Sequence, residues 1–171
     1  PKEVEPRLTG NEVAYAILRG TEAGYLCNKL FLSDKLKQYS HLVKTGRNFW
    51  EDVSVTVPLL YYAQKVGYYP KVTIHYVHHG NTQYTAVTKP EYIDTLAEIL
   101  EDFEKEFEGT KDRELKRAFN YLKMRIFMIL AQLPLRYYKA FRKPIFKVEW
   151  ALFPHDWKNT IRYFIYYSTQ N

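Results

Sequence analysis

The sequence predicts a mainly α fold in which an N-terminal helical arm, residues 1–67, joins a helical bundle with one β-hairpin, residues 68–171, as one structural unit. Three observations predict it. Apolar residues recur at spacings of three and four over most of the chain, helix-start signals precede those runs, and one stretch alternates apolar and polar residues as a strand does.

Residues 1–6, charged and flanked by prolines, are expected to be extended or disordered. Thr9-Gly-Asn-Glu12 has the form of a capping box and predicts a helix start. Behind it Ala16, Gly20 and Gly24 fall at intervals of four, a nearly bare helical face. A glycine inside a helix costs about 1 kcal/mol relative to alanine, so two of them one turn apart imply that another helix, a second subunit or a nucleic-acid backbone comes close. On that expectation Gly20→Ala and Gly24→Ala preserve helicity in the free chain and impair assembly. From residue 25 to 44 the helical pattern resumes, unbroken or with a break or fresh cap at Ser33-Asp34, with Leu32, Leu36, Tyr39 and Val43 on one side and Lys29, Ser33, Lys37, His41 and Lys44 on another. Arg19 and Arg47 extend this basic row, whose spacing suits a phosphate backbone. Asn48 starts a further segment up to Gly67. Pro58 must kink or end it, and Val53, Val55, Thr56 and Val57 make helix and strand hard to separate there.

Val72, Ile74, Tyr76 and His78 alternate with Thr73, His75, Val77 and His79; Gly80-Asn81 supplies a turn and residues 84–87 a return strand. A single hairpin needs a helix to lie on. Thr88-Lys-Pro-Glu91 reads as a second capping box, opening a helix with Tyr92, Leu96, Ile99, Phe103 and Phe107 on its apolar face and Asp94, Glu98, Glu101, Asp102 and Glu108 opposite. Gly109 ends it. Thr110 is the expected cap of a longer helix, in which Leu115, Phe119, Leu122, Ile126, Ile129 and Leu133 keep the period and Arg113, Lys116, Arg117 and Lys123 cover the outside. A two-residue joint makes the pair an antiparallel helical hairpin. Beyond Pro134, residues 145–152 read as a short strand and residues 157–167 as a final amphipathic helix.

At 171 residues the chain is long enough to bury a core without metal or disulfide. The single cysteine, Cys27, excludes an internal disulfide and is expected to be a small buried residue; with no leader-like start, a reducing cytoplasm is the expected place of synthesis. No uncharged run approaches the roughly 18 apolar residues of a spanning helix. Sixteen tyrosines, two methionines and one cysteine among abundant charged residues fit a hyperthermophile. Charge is unevenly divided. Residues 1–89 hold 11 basic and 7 acidic side chains, residues 90–108 hold 1 and 8, and residues 109–171 hold 13 and 4. The acidic helix therefore carries most of the negative charge, and the rest of the surface suits a polyanion. That helix is expected to turn away from nucleic acid, toward solvent or the basic surface of a neighbouring subunit.

Catalytic signatures are sparse. A strand spaces His75 and His79 about 13 Å apart and puts His78 and His79 on opposite faces, so the three cannot hold one metal from this element alone. There is no P-loop, G-x-G-x-x-G, G-x-S-x-G or C-x-x-C. The carboxylates of Glu51-Asp52 and of Asp112 and Glu114 are too close in sequence to converge from one helix.

The Tyr-rich, Cys-poor composition, the Ala16-x-x-x-Gly20-x-x-x-Gly24 face, the basic stretch from Lys29 to Lys44 and helices suited to a bundle together resemble the major coat proteins of filamentous viruses of hyperthermophilic archaea, the rudivirus and lipothrixvirus group. The resemblance implies N-terminal arm helices that wrap double-stranded DNA held in A form, and a C-terminal bundle that makes the outer shell of a helical filament. It implies a structural, non-catalytic virion protein made in the host cytoplasm, with no cofactor and no metal. Its partners are then DNA, a second copy or a paralogous coat subunit, and a lipid envelope. Carried onto this sequence, Arg19, Lys29, Lys37, Lys44 and Arg47 become phosphate contacts, and Gly20 and Gly24 the positions of close approach. The alternative is a small intracellular viral DNA-processing enzyme, a metal-dependent nuclease, or a DNA-binding regulator.

Overall fold

The structure is a computed structural model and describes residues 6–69, 71–75, 77, 88–130, 133–134, 144–147 and 149. In order, the described chain forms β1 (Pro6–Leu8), α1 (Gly10–Arg19), α2 (Ser33–Gln38), a 3-10 turn (Ser40–Leu42), α3 (Glu51–Tyr61), β2 (Val66–Gly67), α4 (Tyr92–Glu106), α5 (Arg113–Leu130) and a last 3-10 turn (Pro144–Phe146). The fold is mainly α, as the periodicity predicts.

Helix α1 starts where the capping box places it. The Thr9 amide donates to Glu12 Oε2 at 2.8 Å, and the Glu12 amide donates back to Thr9 Oγ1 at 3.4 Å. The helix buries Val13, Ala14, Ile17 and Leu18 and packs against both α3 and α5, so the N-terminal segment supplies a central core helix. It ends earlier than the Ala16-Gly20-Gly24 spacing suggests. Gly20 caps α1 in the left-handed region, φ 83°, with its amide turned back to the carbonyls of Ala16 and Ile17. Residues 21–32 carry no helix, and of the basic helix expected from 25 to 44 only α2 and the 3-10 turn form.

The ambiguous segment after Asn48 is helical. Pro58 lies inside α3, which continues past it to Tyr61 with the Tyr62 amide on the Pro58 carbonyl, so the proline does not end the helix. Burial on nearly all sides decides for helix: Ser54 through Leu60 are all buried, and a core helix can carry the β-branched residues that its propensity disfavours. Trp50 precedes it at φ 58°, a conformation that costs a non-glycine residue of order 1 kcal/mol or more and that the neighbouring contacts must hold.

Where a hairpin was expected, residues 72–75 carry no strand, and the return strand at 84–87 lies outside the described residues. The described β pairing is a different one. Residues 6–8 run antiparallel to 66–67, with Pro6 opposite Gly67 and Leu8 opposite Val66. The strand at 145–152 and the helix at 157–167 lie largely outside the described residues, apart from the 3-10 turn that replaces the start of that strand.

Helix α4 begins at Tyr92, three residues later than Thr88 would have it, and its N-cap residue Glu91 makes no side-chain capping bond. Its apolar face, from Tyr92 to Phe103, is buried as predicted. The joint to α5 spans residues 107–112 rather than two residues, with Gly109 at φ 76° in the turn. The cap of α5 is Asp112, whose Oδ1 accepts the Leu115 amide at 3.0 Å, while Thr110 Oγ1 accepts the Asp112 amide at 3.3 Å. Helix α5 then runs back along α4. Phe119 packs edge-on against Phe103, and Lys123 Nζ meets Glu104 Oε1 at 2.8 Å.

Asp112 also fastens three helices together, because its Oδ2 accepts the hydroxyls of Tyr15 from α1 and, at 3.1 Å, Tyr61 from α3. Burial pushes its carboxyl up, but the hydrogen bonds from Tyr15, the Leu115 amide and Tyr61 outweigh that and hold it below the ordinary value of 3.8. A carboxyl depressed on folding stabilises the fold above its unfolded pKa, and that stability is lost as pH falls through the folded value. Asp112→Asn should therefore lower the urea midpoint by a constant amount between pH 7 and 5, and the gap to wild type should close below about pH 4. A gap unchanged down to pH 3 would show that the carboxylate charge contributes nothing to this joint.

Candidate nucleic-acid interface

The five cations expected to contact phosphate have different fates in the folded chain. Arg19, at the end of α1, pairs with Glu114 at 2.7 Å and lies 6.0 Å from the Tyr15 ring centroid. Lys29 donates to the carbonyls of Ala23 and Tyr25 at 2.7 and 3.0 Å and to Asn28 Oδ1 at 2.8 Å, bracing a loop; desolvation there depresses its ammonium pKa. Lys44 pairs with Asp102 at 2.6 Å. Arg47 is the most enclosed, its side chain 4% exposed and held by Glu98 at 3.3 Å and Asp102 at 2.7 Å. Only Lys37, on α2, is exposed with no ion pair among the described residues.

The counter-charges of Lys44 and Arg47 come from the acidic helix. His41, Lys44 and Arg47 lie along one flank of α4 against Glu106, Asp102 and Glu98, and Lys123 of α5 takes Glu104 on another. Much of the acidic face expected to seek a neighbouring subunit is therefore neutralised within the chain. Burial raises the Asp102 carboxyl, but Lys44 and Arg47 more than reverse this and leave it below its ordinary value.

Neither expected close-approach glycine sits in a helix interior. A β-carbon at Gly20 would come within 2.7 Å of the Arg125 guanidinium, whose Nη1 donates to the carbonyls of Ile17 and Leu18 at 2.8 and 3.1 Å and so closes the end of α1. The same guanidinium lies 5.0 Å from the Trp50 ring centroid, which ties the strained start of α3 to that helix end. An alanine at Gly20 would be strained at its positive φ and would displace Arg125, the reverse of the stabilisation expected for a mid-helix glycine. At Gly24 a β-carbon would meet Val53 Cγ2 at 2.8 Å and Ile17 Cγ2 at 3.1 Å, so the close neighbours described there belong to the same chain. Among the described residues the tightest glycine is Gly10, in the first turn of α1 against the end of α3, where spacing gave no signal.

Four further cations without ion pairs gather elsewhere. Lys105 in the last turn of α4, Lys111 in the joint, and Arg113 and Lys116 in the first turn of α5 are all exposed, and none has an ion pair among the described residues. Beside them a half-open cavity of about 290 Å³ lies between the two helices, with Phe103, Phe107 and Phe119 in its wall and Lys116 and the Lys123–Glu104 pair at its polar edge. Asn120 closes one side by exchanging two hydrogen bonds with the Glu149 backbone, at 2.9 and 2.7 Å.

Of the carboxylates paired in sequence, Asp112 is engaged with two tyrosines and a helix cap, and Glu114 with Arg19 and Arg117. Among the described residues no three His, Cys, Asp or Glu side chains are grouped to hold a metal ion. His75 is exposed, and His78 and His79 lie outside the described residues. Cys27, expected to be buried, is exposed in the loop after Gly24 because the helix that would have enclosed it does not form. No family model matches the chain, and neither a curated protein nor a solved structure matches it.

Proposed function

We propose that the protein is a structural nucleic-acid-binding subunit, a virion coat protein that lies on double-stranded DNA and assembles along it into a helical filament. Its DNA face is the α4–α5 joint. The observation that carries the DNA contact is the set of four exposed cations, Lys105, Lys111, Arg113 and Lys116, without ion pairs among the described residues. A cation already paired must break that pair before it can neutralise a phosphate, so Arg19, Lys44 and Arg47 are poor candidates beside these four. The coat role is supported by the sequence resemblance.

Binding should be independent of sequence, with log K falling against log salt by about 0.9 per phosphate neutralised. The triple variant Lys111→Gln, Arg113→Gln, Lys116→Gln should flatten that slope by up to about three, whereas Lys29→Gln with Lys37→Gln should change it little. The DNA face is wrong if the second variant flattens the slope and the first does not. The coat role further requires saturation at a fixed number of base pairs per subunit and filaments visible by negative-stain microscopy; discrete complexes at selected sequences would make the protein a regulator.

A further inference from the structure

The cavity between α4 and α5 has its wall built at helical spacing from both sides: Phe103 and Glu104 from α4 with Phe107 just past its end, and Lys116, Phe119 and Lys123 from α5. Its volume of about 290 Å³ lies just under the roughly 300 to 1,000 Å³ of sites for drug-sized ligands, so it suits one ring system rather than an extended molecule. Phe103 is wholly buried, whereas Phe107 and Phe119 are only half-buried. Beside these rings sits an enclosed charge. Lys123, its side chain 10% exposed, lies 4.9 Å from the Phe119 ring centroid and donates to Glu104 Oε1. An ammonium has further protons to give, and Glu104 is half exposed with its Oε2 unbonded among the described residues, so the pair keeps both a donor and an acceptor for a guest. Lys116 stands at the same edge, next to Lys105, Lys111 and Arg113.

We propose that this cavity holds one unpaired nucleotide, its base against the rings of Phe107 and Phe119 and its phosphate on Lys116. A purely apolar guest would strip water from the Lys123–Glu104 pair without replacing it, and a cationic guest would meet four cations that lack ion pairs among the described residues. A nucleobase answers both demands. It offers a flat face to the phenylalanines, donors and acceptors along its edge for Glu104 and Lys123, and an anion joined to it through the sugar. Aromatic platforms beside a basic track are how single strands are held without reading their sequence. A base within a duplex has its faces stacked and its edge paired, so the guest is an unpaired one, either at the end of a strand or in a free mononucleotide. Where the nucleotide belongs to a strand, the proposal rests on the reading of the α4–α5 joint as the DNA face, because Lys105, Lys111 and Arg113 then carry the neighbouring phosphates.

The test compares, by fluorescence anisotropy with the full chain at one salt concentration, three forms of a short duplex: blunt, with a thymidine overhang, and with an abasic overhang that keeps the phosphates and lacks the bases. The thymidine overhang should bind about fivefold or more tighter than the abasic one, the least expected of one base stacked on an aromatic ring. Phe119→Leu keeps an apolar wall without the π-face and should bring the two overhangs to equal affinity, with blunt-duplex binding at wild-type strength. Lys111→Gln with Arg113→Gln should instead weaken all three forms. In wild type, a 5-iododeoxyuridine overhang irradiated in the complex should crosslink to Phe107 or Phe119, a readout that does not depend on the folding of a variant. Calorimetry of thymidine monophosphate against deoxyribose 5-phosphate separates the two sources: binding of the nucleotide alone admits a free mononucleotide, and binding of neither, with the overhang preference present, confines the cavity to a nucleotide within a strand. Equal wild-type affinity for the two overhangs without mononucleotide binding overturns the proposal, and blunt-duplex binding in the same experiment would leave the DNA face standing. Crosslinks confined to other aromatic side chains, such as the exposed Tyr68 and Tyr69, or a base preference undiminished in Phe119→Leu, overturn it equally. Absence of duplex binding, with the mononucleotide still preferred over the sugar phosphate, would refute the DNA reading alone.

Discussion

Arg47→Met is expected to lower folding stability by about 3 kcal/mol and to leave the salt dependence of DNA binding unchanged. The guanidinium is almost wholly enclosed, while its partners differ: Asp102 is 17% exposed and Glu98 57%. Removing one member of a buried ion pair typically costs about 3 to 5 kcal/mol, because the other charge is left in a poor dielectric. The low end applies here, since Lys44 still reaches Asp102 at 2.6 Å and Glu98 can turn to water. In a chain of this length such a loss lowers the melting temperature by roughly 6 to 12 °C. Arg47→Lys should recover only part of it, because a single ammonium cannot bridge Glu98 and Asp102 as the fork does. An unperturbed melting temperature together with a salt slope reduced by about one would return Arg47 to the DNA interface.

The same residue illustrates what the sequence could and could not disclose. Local signals were legible: the Thr9–Glu12 capping box, the apolar face of α4 and the period of α5 each rest on residues within a few turns of one another. Signals that depend on partners far along the chain were not. Arg47 meets Glu98 and Asp102 across 51 and 55 residues, and Lys44 meets Asp102 across 58, so a row of cations at phosphate spacing looked the same whether its anions came from DNA or from α4. Thr88 shows the opposite error, because a capping motif states a preference that tertiary packing can override; α4 begins instead at Tyr92, whose ring stacks 4.0 Å from Phe49 and is buried in the core. Gly20 had the interval of a helical small-residue face, yet its conformation depends on the left-handed cap and on Arg125, 105 residues later. The charge division pointed to three of the joint's cations, Lys111, Arg113 and Lys116, in that residues 109–171 are strongly basic, but Lys105 lies in the acidic segment, and which cations lack ion pairs required the fold.

Gly10→Ala should cost about 3 kcal/mol, although the residue lies in the first turn of a helix where alanine is intrinsically preferred. A β-carbon at Gly10 would fall well inside van der Waals contact of the carbonyl oxygens of Leu60 and Ala63, and 2.9 Å from Ala63 Cβ. Those oxygens belong to backbone, so no rotamer change can relieve the overlap; α1 must move away from the end of α3. That separation would loosen Val13, Ile17 and Leu18, which share the core with Val57 and Leu60, and would strain the pairing of Leu8 with Val66 on either side of the contact. Overpacked contacts ordinarily cost about 1 to 3 kcal/mol, and the rigidity of both partners puts this one at the upper end. Gly46→Ala is the matching control. Its φ of 86° strains an alanine, but nothing lies within 4 Å, so it should cost only about 1 kcal/mol. Urea midpoints of the two variants separate the effects: a larger loss for Gly46→Ala than for Gly10→Ala would mean that backbone conformation, rather than the closeness of α1 to α3, sets the requirement for glycine in this fold.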